Sequence, residues 1–132
     1  MMNSTLHSPE LHEYSSLVWH NSERRPGVRF ATRQMSLAQR IALTKQVRDL
    51  MLRHDFLKGG DTADQLQATL GDLLSRRLYV EWGLAHIEGL SIDGTNATVE
   101  LLIEHGLEDL TQEIANAIIS DLHLTEEERK NF

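Results

Sequence analysis

The chain contains no cysteine. Disulfides, thiolate metal sites and a cysteine nucleophile are therefore excluded. No run approaches eighteen consecutive apolar residues, so no transmembrane helix and no membrane partner are expected. Met1 to Glu10 lacks a basic stretch leading into an apolar one, so no secretory signal is expected, and the cytoplasm is the expected compartment. A Gly-rich phosphate loop is missing: Gly59-Gly60 has no Lys-Ser/Thr after it and follows no strand. The seven histidines include no i,i+4 pair, and no serine lies in a Gly-x-Ser-x-Gly turn. Carboxylates such as Glu81, Glu88, Asp93, Glu100 and Glu104 fit solvated helix faces better than an acid–base pair held in a cleft. These absences point away from an enzyme and from any cofactor or intrinsic metal.

What is present is an ordinary soluble composition: 132 residues, 40% hydrophobic and 25% charged, enough for one domain with its own core. The net charge of -7 conceals a division. Met1 to Gly60 carries nine Arg/Lys and five Asp/Glu, a net of +4, and Asp61 to Phe132 carries four and fifteen, a net of -11. Either the basic surface of one copy meets the acidic surface of the next, giving a homo-oligomer, or the two halves pack together within one monomer. Nucleic acid is not an expected partner. The net charge repels phosphate, and Phe30 is the only aromatic among the arginines of the first half.

The patterning predicts a mainly α fold: a small N-terminal β-hairpin, then a helical hairpin and further short helices. Residues 1–16 read as a polar, flexible N-terminal arm, and 17–132 as a single mainly helical domain. Leu17 to His20 and the alternating Val28 to Met35 flank a turn segment containing Pro26 and Gly27. Ser36, with Gln39 three residues on, opens a helix as a capping box. Its main stripe reads as Leu37, Ile41, Thr44, Val47, Met51 and His54, widened by Leu43 and Leu50. Gly59-Gly60 ends it, and Asp61 caps the next helix. That helix carries Ala63, Leu66, Leu70, Leu73, Leu74, Leu78 and Trp82 on one apolar face and breaks near Gly83 or Gly89. His86 to Gly94 is a third short strand or an extended loop, with Asp93-Gly94 as a turn. Thr98 caps a short helix that stops at His105-Gly106. Leu107 to Leu122 forms another amphipathic helix, and Thr125 to Glu128 opens a short charged one.

The segment Tyr79 to Gly94, followed by Ala97-Thr98-Val99-Glu100-Leu101-Leu102, joins a Trp-containing helix to a hydrophobic Asp-Gly turn and a Thr-capped helix. In that order these features resemble tail assembly chaperones of long-tailed bacteriophages and prophages, as does the ending Leu124 to Asn131. The resemblance implies a non-enzymatic protein of the host cell cytoplasm. It would coat the phage tape measure protein, keep it soluble and recruit tail tube protein subunits. A longer product made by ribosomal frameshifting near Lys130-Asn131 would also fit the family. The alternative from a different class is a virion structural component, such as a tail completion or connector protein.

A chaperone of this kind can lay an amphipathic face against apolar stripes of a helical partner. The candidate partner-binding residues are those at the margins of the expected core: Trp19 on an expected edge strand, Leu43 and Leu50 beside the first helix's main stripe, and Ile119 at the margin of the last long helix. The competing reading is that all four complete the core.

Overall fold

The structure, a computed structural model, describes residues 10–55 and 62–122. The elements follow the order β1 (Leu17–Asn21), β2 (Arg29–Arg33), α1 (Leu37–Asp55), α2 (Thr62–Gly83), β3 (Leu84–Glu88), β4 (Ser91–Ile92), β5 (Thr95–Asn96), α3 (Val99–His105) and α4 (Glu108–Leu122). Helix accounts for 58% of the structure, in agreement with the mainly α expectation. The β element is more than a hairpin. β3 pairs with the far side of β2 and completes a three-stranded antiparallel sheet in the order β1-β2-β3. The chain passes straight from Gly83 into this strand, and Gly83 lies against Ile118 of α4, where a Cβ would meet three Ile118 side-chain carbons at 2.7–2.8 Å.

The local signals explain most element ends. Ser36 and Gln39 form a reciprocal capping box: the Gln39 N–H donates to Ser36 Oγ over 3.2 Å, and the Ser36 N–H to Gln39 Oε1 over 2.9 Å. Thr98 Oγ1 accepts from the Leu101 N–H at the start of α3. Asp93 and Gly94 both hold positive φ, as the tight turn between β4 and β5 requires. The proposed turn at Gly59-Gly60, the cap at Asp61 and the helix from Thr125 lie outside the described residues. Of the expected arm, residues 10–16 are described, and they are exposed and irregular.

The long β1–β2 connection is fixed from a distance. Ser22 donates its hydroxyl to Glu113 of α4 over 2.6 Å, and the Glu23 N–H reaches the other carboxylate oxygen over 2.7 Å. The Arg25 N–H in turn donates to Ser22 Oγ. This ties the sheet to α4, whose Leu110, Ile114 and Ile118 form a buried row at a spacing of four. With Phe30, Val80, Leu84 and Leu102 they make the core where sheet, α2, α3 and α4 meet. Burying each such side chain contributes roughly 1.5–3 kcal/mol.

The helical hairpin forms with only part of each expected stripe buried: Val47, Met51 and His54 of α1 and Leu74, Leu78 and Trp82 of α2 are half-buried, while Leu66, Leu70 and Leu73 are exposed. In α1 the contact with α2 uses Leu43, Val47, Leu50, Met51 and His54, while Leu37 and Ile41 stay exposed. In α2 the buried positions are Gly71, Ser75, Val80 and Gly83. Gly71 lets α1 approach closely, since a Cβ there would stand 2.7 Å from His54 Cβ. The Ser75 hydroxyl turns back to the Gly71 carbonyl over 2.8 Å, so a polar side chain is tolerated in the contact.

Candidate partner-binding surface

Because α1 docks on the Gly71–Ser75 side of α2 and α4 on the Val80–Gly83 side, a third side of α2 is left uncovered by the described residues. It carries Leu66, Leu70 and Leu73, which are 65%, 42% and 45% exposed. At about 100° per residue these three and Arg77 fall within an arc of roughly 60°. Toward the C-terminus the row leads into a groove of about 350 Å³ where α2 meets α3 and α4. Leu73, Val80 and Ile103 form its apolar floor, and Arg76, Arg77 and Glu108 its rim. Arg77 is held by Glu81 and Glu104, each at 3.4 Å, and Arg76 lies 3.8 Å from Glu108. From Leu66 to Val80 the surface runs for about 21 Å at 1.5 Å per residue, roughly four turns of a partner helix.

The four residues singled out from the sequence are scattered rather than gathered. Leu43 is fully buried and Leu50 is 9% exposed, so neither is available to a partner; they are core residues of the α1–α2 contact, a correction to the reading that placed them at its margin. The apolar residues of α1 are spread around the helix, so their spacing alone does not say which row faces α2. Ile119 is half-buried and lines a groove between α1, α2 and α4 beside Val47, Met51 and Tyr79. Trp19 remains accessible, 40% exposed on the outer face of the sheet. Its ring lies parallel to His86, 6.3 Å away, and the Arg29 guanidinium sits 4.6 Å over it. Trp82, on the expected apolar face of this helix, is half-buried. Leu66, Leu70 and Leu73, expected on that same face, are exposed. The small residues Gly71 and Ser75 mark the true contact face, and that signal was present in the sequence.

The charge division is used within the chain. Arg25 pairs with Asp109 at 3.1 Å and Arg29 with Glu88 at 3.4 Å, joining the basic half to the acidic half. Arg33 and Arg40 donate to the Leu84 and Leu122 carbonyls over 2.9 and 2.6 Å. Among the described residues, Arg24, Lys45 and Arg53 form no ion pair. The Tyr79 phenol, partly buried where α2 faces α1 and α4, has its pKa raised above the usual value by desolvation. Among the described residues no three His, Asp or Glu side chains group as a metal site would require, and no helix is long and apolar enough to cross a membrane.

No protein-family model matches the chain, and no curated protein and no solved structure does so either.

Proposed function

We propose that this protein is a non-enzymatic tail assembly chaperone that binds the phage tape measure protein through the uncovered face of α2 and recruits tail tube subunits in the host cell cytoplasm. The observation that carries the binding role is the row Leu66, Leu70 and Leu73. A folded chain that has a core elsewhere leaves three leucines in line on one helix, opening onto an apolar-floored groove. Such a row accepts an amphipathic helix by helix-in-groove packing. The resemblance of Tyr79 to Leu102 to tail assembly chaperones supplies the identity of the partner. A tape measure protein is long and helical, and its apolar stripes need cover until the tube encloses them. The acidic second half keeps such a complex in solution through net charge.

The test is co-purification and particle composition. The tape measure protein from the same genome, co-expressed with this chain, should elute with it from gel filtration. Purified phage particles should lack the chain. Its presence in particles at a fixed copy number would instead identify a tail completion or connector component.

A further inference from the structure

We propose that β1 is a dimerisation edge, on which a second copy of this chain adds its own β1 in antiparallel register about a two-fold axis at Trp19. The inference is independent of the leucine row and of the chaperone reading.

The edge is defined by the ladder. The Gln34 N–H bonds to the Ser16 carbonyl and the Ser22 N–H to the Val28 carbonyl. Antiparallel alternation then directs the main-chain groups of Ser16, Val18, His20 and Ser22 toward β2, and those of Leu17, Trp19 and Asn21 outward. In the single chain the Ser15 hydroxyl satisfies Leu17, accepting from its N–H over 3.2 Å and donating to its carbonyl over 3.0 Å. Trp19 and Asn21 have no such clasp among the described residues.

Natural edge strands are guarded by charge, proline or a bulge. This one has none of these: Tyr14 to Ser22 contains no Asp, Glu, Lys, Arg or Pro, and the β1–β2 register runs without interruption. The ring of Trp19 does not shield the edge either. Strands two apart in a sheet lie nearly 10 Å from each other, yet Trp19 and His86 on β1 and β3 approach to 6.3 Å. Both rings therefore lean inward over Ala31, which is fully buried although it lies on the outer face.

The occupant follows from symmetry. On a two-fold axis the central residue meets itself, so a charge there is repelled and an uncharged residue is not. With the axis at Trp19, the outward groups of Trp19 face those of the other Trp19, and Leu17 faces Asn21 in both directions. Each facing pair exchanges two main-chain hydrogen bonds once the Ser15 hydroxyl rotates off Leu17. The two three-stranded sheets become one six-stranded sheet, with the two tryptophans adjacent on its outer face.

Sedimentation equilibrium and hydrogen exchange on the full chain test this. The expected mass at high protein concentration is about 30 kDa, twice the chain's 15.0 kDa. The Trp19 and Asn21 amides should then exchange at about a tenth of their rate in dilute solution or slower. Asn21→Pro removes only an outward N–H, a position where an edge strand tolerates proline. Trp19→Lys places a charge on the axis and leaves the backbone intact. Both should give a monomer with an unchanged circular dichroism spectrum. A wild-type monomer at all concentrations overturns the proposal. So does a dimer that survives both variants, or one that protects amides elsewhere but not those of Trp19 and Asn21. If Asn21→Pro does not fold, Trp19→Lys and the exchange data decide alone.

Discussion

Ser22 and Glu113 stand 91 positions apart in sequence and 2.6 Å apart in space, and their hydrogen bond fastens the β1–β2 connection to α4. The same carboxylate also takes the Glu23 N–H. Glu113→Ala leaves a partly buried hydroxyl and a main-chain N–H without their acceptor, and a group orphaned in this way costs about 1–3 kcal/mol. The variant should lower the thermal midpoint by several degrees, while Glu113→Gln, which keeps one acceptor oxygen, should lower it less. Differential scanning calorimetry of both variants checks this, and equal midpoints for Glu113→Ala and wild type would count against the fastening role.

The approach of α2 to α4 at Gly83 makes a second prediction. A methyl group there would enter the space of Ile118 in the middle of the core. Overpacking of this kind costs about 1–3 kcal/mol. Gly83→Ala should destabilise by that amount in urea unfolding. Adding Ile118→Ala removes the Cδ1, Cγ1 and Cγ2 that the new methyl meets, so the double variant should lose less stability than the sum of the two single losses. Strictly additive losses would place the strain elsewhere.

At Gly71 two effects oppose each other. Alanine gains up to about 1 kcal/mol in helix propensity over glycine. The added Cβ stands 2.7 Å from His54 Cβ, close to the backbone of α1 and unable to rotate away. The steric term should win, so Gly71→Ala is expected to be net destabilising and to loosen the α1–α2 contact. Hydrogen exchange should show α1 amides faster in the variant and α4 amides unchanged.

Tyr79 gives a pH dependence. Burial disfavours its phenolate, so the folded pKa lies above the unfolded value of 10.0. The sign follows from linkage: the folded state holds the proton more tightly, so the contribution is fully present below about pH 10 and is lost as pH rises through the folded pKa. Urea midpoints at pH 8 and pH 11 should differ more for wild type than for Tyr79→Phe. An identical drop in both would remove Tyr79 as a source of alkaline sensitivity.

The elements themselves were largely legible in the sequence. Caps at Ser36 and Thr98, the Asp93-Gly94 turn and the row Leu110, Ile114, Ile118 are local signals, and each fixes its element with little help from the rest of the chain. The third strand was half legible, because Leu84–Glu88 becomes a strand through pairing with residues more than fifty positions earlier. The inward faces of the helical hairpin are only partly legible: Val47, Met51 and His54 of the expected α1 stripe are half-buried, and Leu37 and Ile41 are exposed. In α1 and α2 leucines occur on several sides, and the choice between them is made by where two helices can approach most closely. Glycine and serine decide that, at Gly71 and Ser75, and an apolar count passes over both. This is why Leu43 and Leu50 lie in the core, and why Leu66, Leu70 and Leu73 stay exposed on α2. Trp19 lies on an edge strand because β3, more than fifty positions away, pairs with β2 and not with β1.

The uncovered face of α2 should be separable from stability. Leu66→Ser and Leu70→Ser change side chains that are 65% and 42% exposed, so each should lower the unfolding free energy by no more than about 1–2 kcal/mol. A partner can bury only the exposed share of each leucine, 65% and 42%, of the roughly 1.5–3 kcal/mol that full burial is worth, so Leu66→Ser should weaken a complex about fivefold or more and Leu70→Ser about threefold or more.

The most direct measurement is the amount of tape measure protein that stays soluble when co-expressed with this chain, with the Leu66→Ser/Leu70→Ser variant, or alone. The account predicts soluble tape measure protein with the wild-type chain, and little with the variant or without either, although the variant itself remains folded and soluble. Equal solubility in all three cases, or full rescue by the double variant, would contradict it.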